Sequence, residues 1–165
     1  MTLTTVLQWI EDTAWSTALR ESIWAYPVVE SSHVITLFVF LGLTMAMDAR
    51  LLGFALTRVP VGDVMRRTLP WIRGAFAVMV VSGVLLFATT PVRFSENVFF
   101  LLKFAFLFLA GVNVWVFHRR LYPTVDTWGR GDRLPRGARI AGAVSLTMWI
   151  VIVATGRLIA YNWFE

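Results

Sequence analysis

The sequence predicts an all-α fold: an integral membrane four-helix bundle preceded by an amphipathic interfacial helix. Three observations carry that prediction. Of 165 residues, 58% are hydrophobic and only 15% charged, more apolar surface than a water-soluble domain this small could hide. The apolar residues fall into four stretches, each long enough to cross a hydrocarbon core of about 30 Å, which takes about 20 helical residues. The arginines collect between those stretches, where the charges that orient a membrane protein sit.

The first element is read from periodicity. Leu3, Val6, Leu7, Ile10, Ala14 and Ala18 recur at helical spacing opposite Thr4, Gln8, Glu11, Asp12 and Ser16, so residues 3–21 are expected to form one amphipathic helix lying flat on the membrane. Thr5 and Gln8 have capping-box spacing. Trp9, Trp15 and Trp24 suit the headgroup level, where an indole keeps its ring in the apolar layer and its N–H in water. The start lacks a basic region, unlike a cleaved signal peptide.

The first span is placed at about residues 28–48, beginning at Pro27, which a helix tolerates in its first turn. The apolar pattern would let this helix continue through Leu51, Leu52 and Phe54 towards Pro60. From Glu30 to Leu56 such a helix would measure about 40 Å, so one of its polar ends, Glu30/His33 or Asp48/Arg50, must approach lipid depth unless it tilts strongly. The second span, about 71–90, lies between Pro70 and Pro91; the third, about 97–117, stops at His118-Arg119-Arg120; the fourth, about 140–161, is anchored by Trp163. The whole chain is then a single membrane domain, 1–165.

Arginine counting sets the expected orientation. Arg50, Arg58, Arg66, Arg67 and Arg73 lie between spans one and two, and Arg119, Arg120, Arg130, Arg133, Arg136 and Arg139 between three and four; the other side has Arg20, Arg93 and Arg157. Both rich loops should be cytoplasmic, with both termini outside. The net charge of +5 therefore reads as orientation, not as nucleic-acid binding. The expected partners are the lipid bilayer and other subunits in a homo- or hetero-oligomer.

The absence of cysteine excludes disulfides, thiolate metal sites, iron–sulfur clusters and covalently attached c-type haem. There is no nucleophile elbow, phosphate loop or H-E-x-x-H motif. Gly129-Arg130-Gly131-Asp132 reads as a polar turn, since no strand precedes it. The chain is not expected to be an enzyme on its own.

Depth picks out candidate functional residues. His33, Lys103 and Arg157 lie about four to six residues inside the outer ends of spans one, three and four, roughly 6–9 Å below the interface at 1.5 Å per residue. Glu30 is one turn from His33, on the same helix face. Intramembrane charges cost about 2.5–3.5 kcal/mol each on insertion scales, and usually pair inside a bundle. The expectation is therefore an outer-leaflet cluster of Glu30, His33, Lys103 and Arg157, roofed by Tyr26, Thr89, Glu96 and Tyr161. The bland alternative is that Lys103 and Arg157 snorkel to the headgroups while Glu30 sits in water.

Such a cluster could hold several ligands. His33 with a carboxylate and cations nearby could hydrogen-bond a quinone headgroup, or His33 could ligate a b-type haem whose propionates meet Lys103 or Arg157. The Glu30-x-x-His33 spacing also occurs in di-iron bundles; here the second motif is missing, and copper is the likeliest metal on imidazole and methionine. The methionines read more simply as core packing. A haem shared by His33 and His118 is disfavoured, because the topology sets them more than about 20 Å apart.

Asp48 and Arg50 of span one and His118 of span three form a second, inner-side polar group, with Arg73 nearby. Two polar layers would suit a proton or ion pathway. Only Thr44, Ser82, Asn113, Ser145 and Thr147 bridge the apolar middle, so no continuous path is expected. Gly42 with Ala46, and Gly137 with Ala141, have the spacing that lets helices approach closely.

The stretch Trp24-x-Tyr26-Pro27-x-x-Glu30-x-x-His33, then Gly42 and Asp48-x-Arg50-Leu51-Leu52-Gly53, resembles a family of small uncharacterised bacterial inner-membrane proteins. The Lys103…Asn113…Phe117-His118-Arg119 pattern is similar to that family's third helix. A looser likeness, a histidine early in a span, extends to CopD-type copper-resistance membrane proteins and to b-type four-helix cytochromes, whose paired histidines within one layer are missing here. The function this reading implies is an accessory or anchoring subunit of a larger membrane complex; the rival readings are a redox subunit binding haem or quinone at His33 and a small copper or proton transporter.

Overall fold

The computed structural model of the chain describes residues 2–128 and 134–161; Gly129 to Asp132 and Trp163, discussed above, lie outside them. The elements are α1 (Leu3–Glu11), α2 (Ala14–Glu21), α3 (Ala25–Leu52), α4 (Val61–Thr89), α5 (Pro91–Glu96), α6 (Val98–Arg120), a 3-10 turn at Tyr122–Thr127, and α7 (Arg136–Leu158). Four of them, α3, α4, α6 and α7, are long and apolar enough to cross a membrane. The protein is a multi-pass membrane protein built as an up-and-down helical bundle.

Helix boundaries follow local chemistry. The helix α3 stops at Gly53, whose φ of 84° is left-handed; the Gly53 and Phe54 N–H groups then bond the carbonyls of Arg50 and Ala49, closing the last turn as a glycine cap does. The apolar run beyond it, with Phe54, is thus loop rather than helix, contrary to the expected continuation towards Pro60. The helix α4 begins ten residues before the expected 71 and carries Pro70 inside it, so its fourth-previous carbonyl loses a backbone donor. At the start of α6 the Asn97 Oδ1 accepts from Phe99 and Phe100 N–H at 2.9 and 3.1 Å, a side-chain cap.

The N-terminal segment differs from the single flat helix expected. It breaks at Asp12–Thr13: Thr13 is extended, and its hydroxyl donates to the Ile10 carbonyl at 2.7 Å. The cap of α1 is Thr2, whose Oγ1 accepts from the Thr5 N–H at 3.3 Å, so the Thr5/Gln8 box does not form. The break lets α2 turn a nominally polar residue inward. Ser16 is fully buried and donates to the Ala88 carbonyl at 2.7 Å; Arg20 donates to the Thr89 carbonyl at 2.9 Å. Together they satisfy carbonyls that the end of α4 leaves without helical partners, and they set a cation on its negative pole.

Within the bundle α3 packs against α4 and α7, and α7 against α6, in the row α4–α3–α7–α6; no Cα of α4 comes within 8 Å of one of α6. Side chains fill that wider seam. Phe87 of α4 stacks on Phe100 of α6 at 5.4 Å, and Phe94 of α5 on Phe100 at 5.2 Å. A close backbone approach lies elsewhere: a Cβ on Gly142 of α7 would lie 3.0 Å from the Leu51 Cβ and 3.2 Å from the Asp48 carbonyl oxygen of α3. The small-residue spacings do not mark it. Gly42 has nothing within 4 Å, and Gly137 faces the Leu121 side chain of the connecting turn.

Two apolar clusters form the core. One, at the arginine-rich end, includes Met47, Leu51, Val61, Met65, Phe117 and Trp128; the other joins Phe40, Ala75, Ala110, Trp149 and Ile152 of all four long helices. Phe40 and Trp149 meet edge-to-face at 4.6 Å, a favoured aromatic geometry.

Candidate functional site

On the α2 side of the Phe40–Trp149 core the interior turns polar. His33 of α3 is half-buried, and its Nδ1 lies 2.8 Å from the Ser82 hydroxyl of α4. The proton roles follow from the hydrogen-bond inventory. Ser82 is buried, and its hydroxyl also lies 2.7 Å from the Val78 carbonyl and 3.3 Å from the Met79 carbonyl, both acceptors for its proton. With that proton turned to a carbonyl, the hydroxyl oxygen accepts from His33 Nδ1–H, the tautomer that leaves a lone pair on Nε2.

The ring is held on its other side by α4 itself. A Cβ at Gly83 would lie 3.3 Å from His33 Cε1, so the glycine lets the imidazole lie flat against α4. Lys103 reaches in from α6: half-buried, it packs its Nζ 3.5 Å from where a Cβ of Gly156 in α7 would sit. Lys103 lies within electrostatic reach of His33. Among the described residues its ammonium has no ion-pair partner. The layer thus takes one part from each long helix: His33, Ser82 with Gly83, Lys103 and Gly156.

The other two members expected in this cluster point elsewhere. Glu30 faces outward, near Tyr26, which lies within electrostatic reach of both Glu30 and Arg93. Arg157 is also outward-facing; it donates to the Tyr161 hydroxyl at 3.1 Å and lies 5.3 Å over its ring. The expected foursome is therefore two interior groups and two peripheral ones. Of the expected roof, Thr89 is buried and bonds the Leu86 carbonyl. Among the described residues no three His, Asp or Glu side chains converge to hold a metal ion.

The inner-side group is likewise divided. Asp48 is 4% exposed and faces the Ser145 hydroxyl of α7. Arg50, fully buried, turns to the loop and donates from Nε to the Val59 carbonyl at 3.0 Å. His118 bonds the Val114 carbonyl of its own helix at 2.9 Å and stacks on Tyr122 at 5.2 Å. Fifteen residues of α6 separate Lys103 from His118, about 22 Å of axial rise, too far for the two histidines to share one iron.

Ser82, Gly83 and Gly156 have no sequence signature as partners of this site. Ser82 was visible only as a polar residue at mid-span, and nothing distinguishes either glycine from the others. An open apolar groove runs along α3 and α4 beside the layer, lined by Val28, Val29, Val81 and Leu85 with Ser32 and Ser82.

Comparison with known proteins gives one match. Residues 9–162 match a family of unknown function (DUF6644), which takes in every long helix and every residue of the layer. No curated protein and no solved structure matches the chain.

Proposed function

The chain belongs to that family, and we propose that it works as an accessory or anchoring subunit of a larger complex in a bacterial inner membrane, with its working surface at the His33–Lys103 layer. The observation that carries this reading is the half-buried Lys103 ammonium, without an ion-pair partner among the described residues, within electrostatic reach of the half-buried His33 imidazole. Uncompensated intramembrane charge marks a functional site by default. The anchoring part draws support from α6, the least buried of the four long helices, whose Phe104, Phe108 and Trp115 all face outward. Its test is purification in mild detergent: a stable larger partner is expected to accompany the chain, and its recovery as a lone species would refute the anchoring role.

A second reading, that the layer binds a quinone headgroup, is favoured by its donor and acceptor pair. Lys103 can donate to a quinone carbonyl, and His33 Nε2 can accept from a quinol hydroxyl, so one pocket suits both redox states. The groove that Ser82 helps to line offers an apolar bed for a lipid-soluble tail. Organic extraction of the purified protein should yield about one quinone per chain, lost in Lys103→Met. A Soret band in the absorbance spectrum would instead assign His33 to haem.

A further inference from the structure

A different carboxyl lies deeper in the bundle and belongs to none of the above. Asp48 is 4% exposed, and its Oδ2 is buried without a hydrogen-bond partner. One turn back on the same face, the Thr44 hydroxyl oxygen is also buried and without a partner. Across the interface the Ser145 hydroxyl faces Asp48. Gly142 lies against the Asp48 backbone and closes that side.

The charged groups of the surrounding elements do not compensate this carboxyl. Arg50 on α3 donates to the Val59 carbonyl; on α4, Arg66 is paired with Asp63 and Asp126, while Arg67 and Arg73 face outward. Arg139 of α7 is outward-facing too, and α6 contributes the neutral Asn113, whose amide donates to the Ala141 carbonyl at 3.0 Å. An unpaired carboxylate in such a place is strongly disfavoured. Something must neutralise it. A hard metal ion needs about six oxygen ligands, more than Asp48, Thr44 and Ser145 supply, whereas a single proton needs one acceptor.

We propose that Asp48, facing Ser145 across the α3–α7 interface, is a proton-binding site, in which Asp48 is carried as the neutral acid and exchanges its proton with water at the arginine-rich end of the bundle. The route is short, since Asp48 lies four residues from the end of α3, about 6 Å of helix. Protonation removes the charge from the buried carboxyl, which is what its uncompensated surroundings require. The site does not depend on the reading of the His33–Lys103 layer.

Infrared spectroscopy of the full chain in lipid vesicles at neutral pH tests this directly. A protonated-acid carbonyl band is expected that is missing from Asp48→Asn, retained in Glu30→Gln, shifted in Ser145→Ala, and displaced when bulk water is replaced by heavy water. Circular dichroism of each variant checks that the bundle remains helical. A wild-type spectrum without an acid band, or one unchanged in a folded Asp48→Asn, would overturn the proposal. Disappearance of the band on adding sodium chloride would also overturn it, by giving the site to a metal ion.

Discussion

The Nδ1 of His33 and the Ser82 hydroxyl share a hydrogen bond of 2.8 Å, and with the Val78 carbonyl 2.7 Å from the same hydroxyl as an acceptor for its proton, the arrangement favours the Nδ1–H tautomer. Ser82→Ala removes the constraint. Nitrogen NMR of labelled protein should show His33 as the Nδ1–H form in the wild type and as a mixture of tautomers in the variant. A wild-type ring protonated on Nε2 would contradict the assignment.

The glycine at the α3–α7 contact and the glycine at Gly42 should behave in opposite ways. Gly142→Ala places a methyl 3.0 Å from Leu51 Cβ and 3.2 Å from a backbone oxygen that cannot move alone; overpacking of this kind costs about 1–3 kcal/mol. Gly42→Ala meets nothing within 4 Å and should be neutral, or stabilising by about 0.5–1 kcal/mol through helix propensity. Reversible denaturation in mixed micelles measures both.

The capping of α4 by α2 gives a third outcome. Ser16→Ala leaves the buried Ala88 carbonyl without its donor, at about 1–3 kcal/mol, and should loosen α1 and α2 ahead of the bundle. Hydrogen exchange would show faster exchange confined to residues 3–21; uniform acceleration across the chain would mean that the N-terminal pair has no separate docking energy.

In the core, Trp149→Ala removes the ring that Phe40 meets at 4.6 Å. Burial of Trp149 at 4% exposure puts the loss at about 3–5 kcal/mol. Melting of the detergent-solubilised variant should show it as the most damaging of the substitutions discussed.

Orientation can be read chemically, because the chain has no cysteine. A single cysteine at Thr2 should react with a membrane-impermeant maleimide added to intact spheroplasts, and one at Arg58 only after permeabilisation. The reverse pattern would invert the topology.

Much of the bundle was legible in the sequence because hydropathy and length report directly on what a bilayer selects. Which way each side chain points was not. Glu30 and His33 share a helix face within the spread of one turn, yet one faces outward and the other packs on Ser82. In a helix that is apolar all round, no moment tells the two sides apart. Arg50 shows the same gap: arginine near a span's end is expected at the interface, but the tight turn at Gly53 brings the Val59 carbonyl within its reach. Asp48 was legible as polar and near lipid depth, not as facing α7, because Gly142 is recognisable only once the helices are side by side.

The row α4–α3–α7–α6 is held by backbone proximity along three of its edges, whereas at the fourth, between α4 and α6, side chains rather than backbones meet, the Phe87–Phe100 ring pair among them. Rings can swing on their own bonds without disturbing a helix. Deformation of the assembly should therefore concentrate there, which makes that flank the compliant wall of an otherwise stiff frame, and the one through which a guest dissolved in the bilayer could slip sideways towards Lys103.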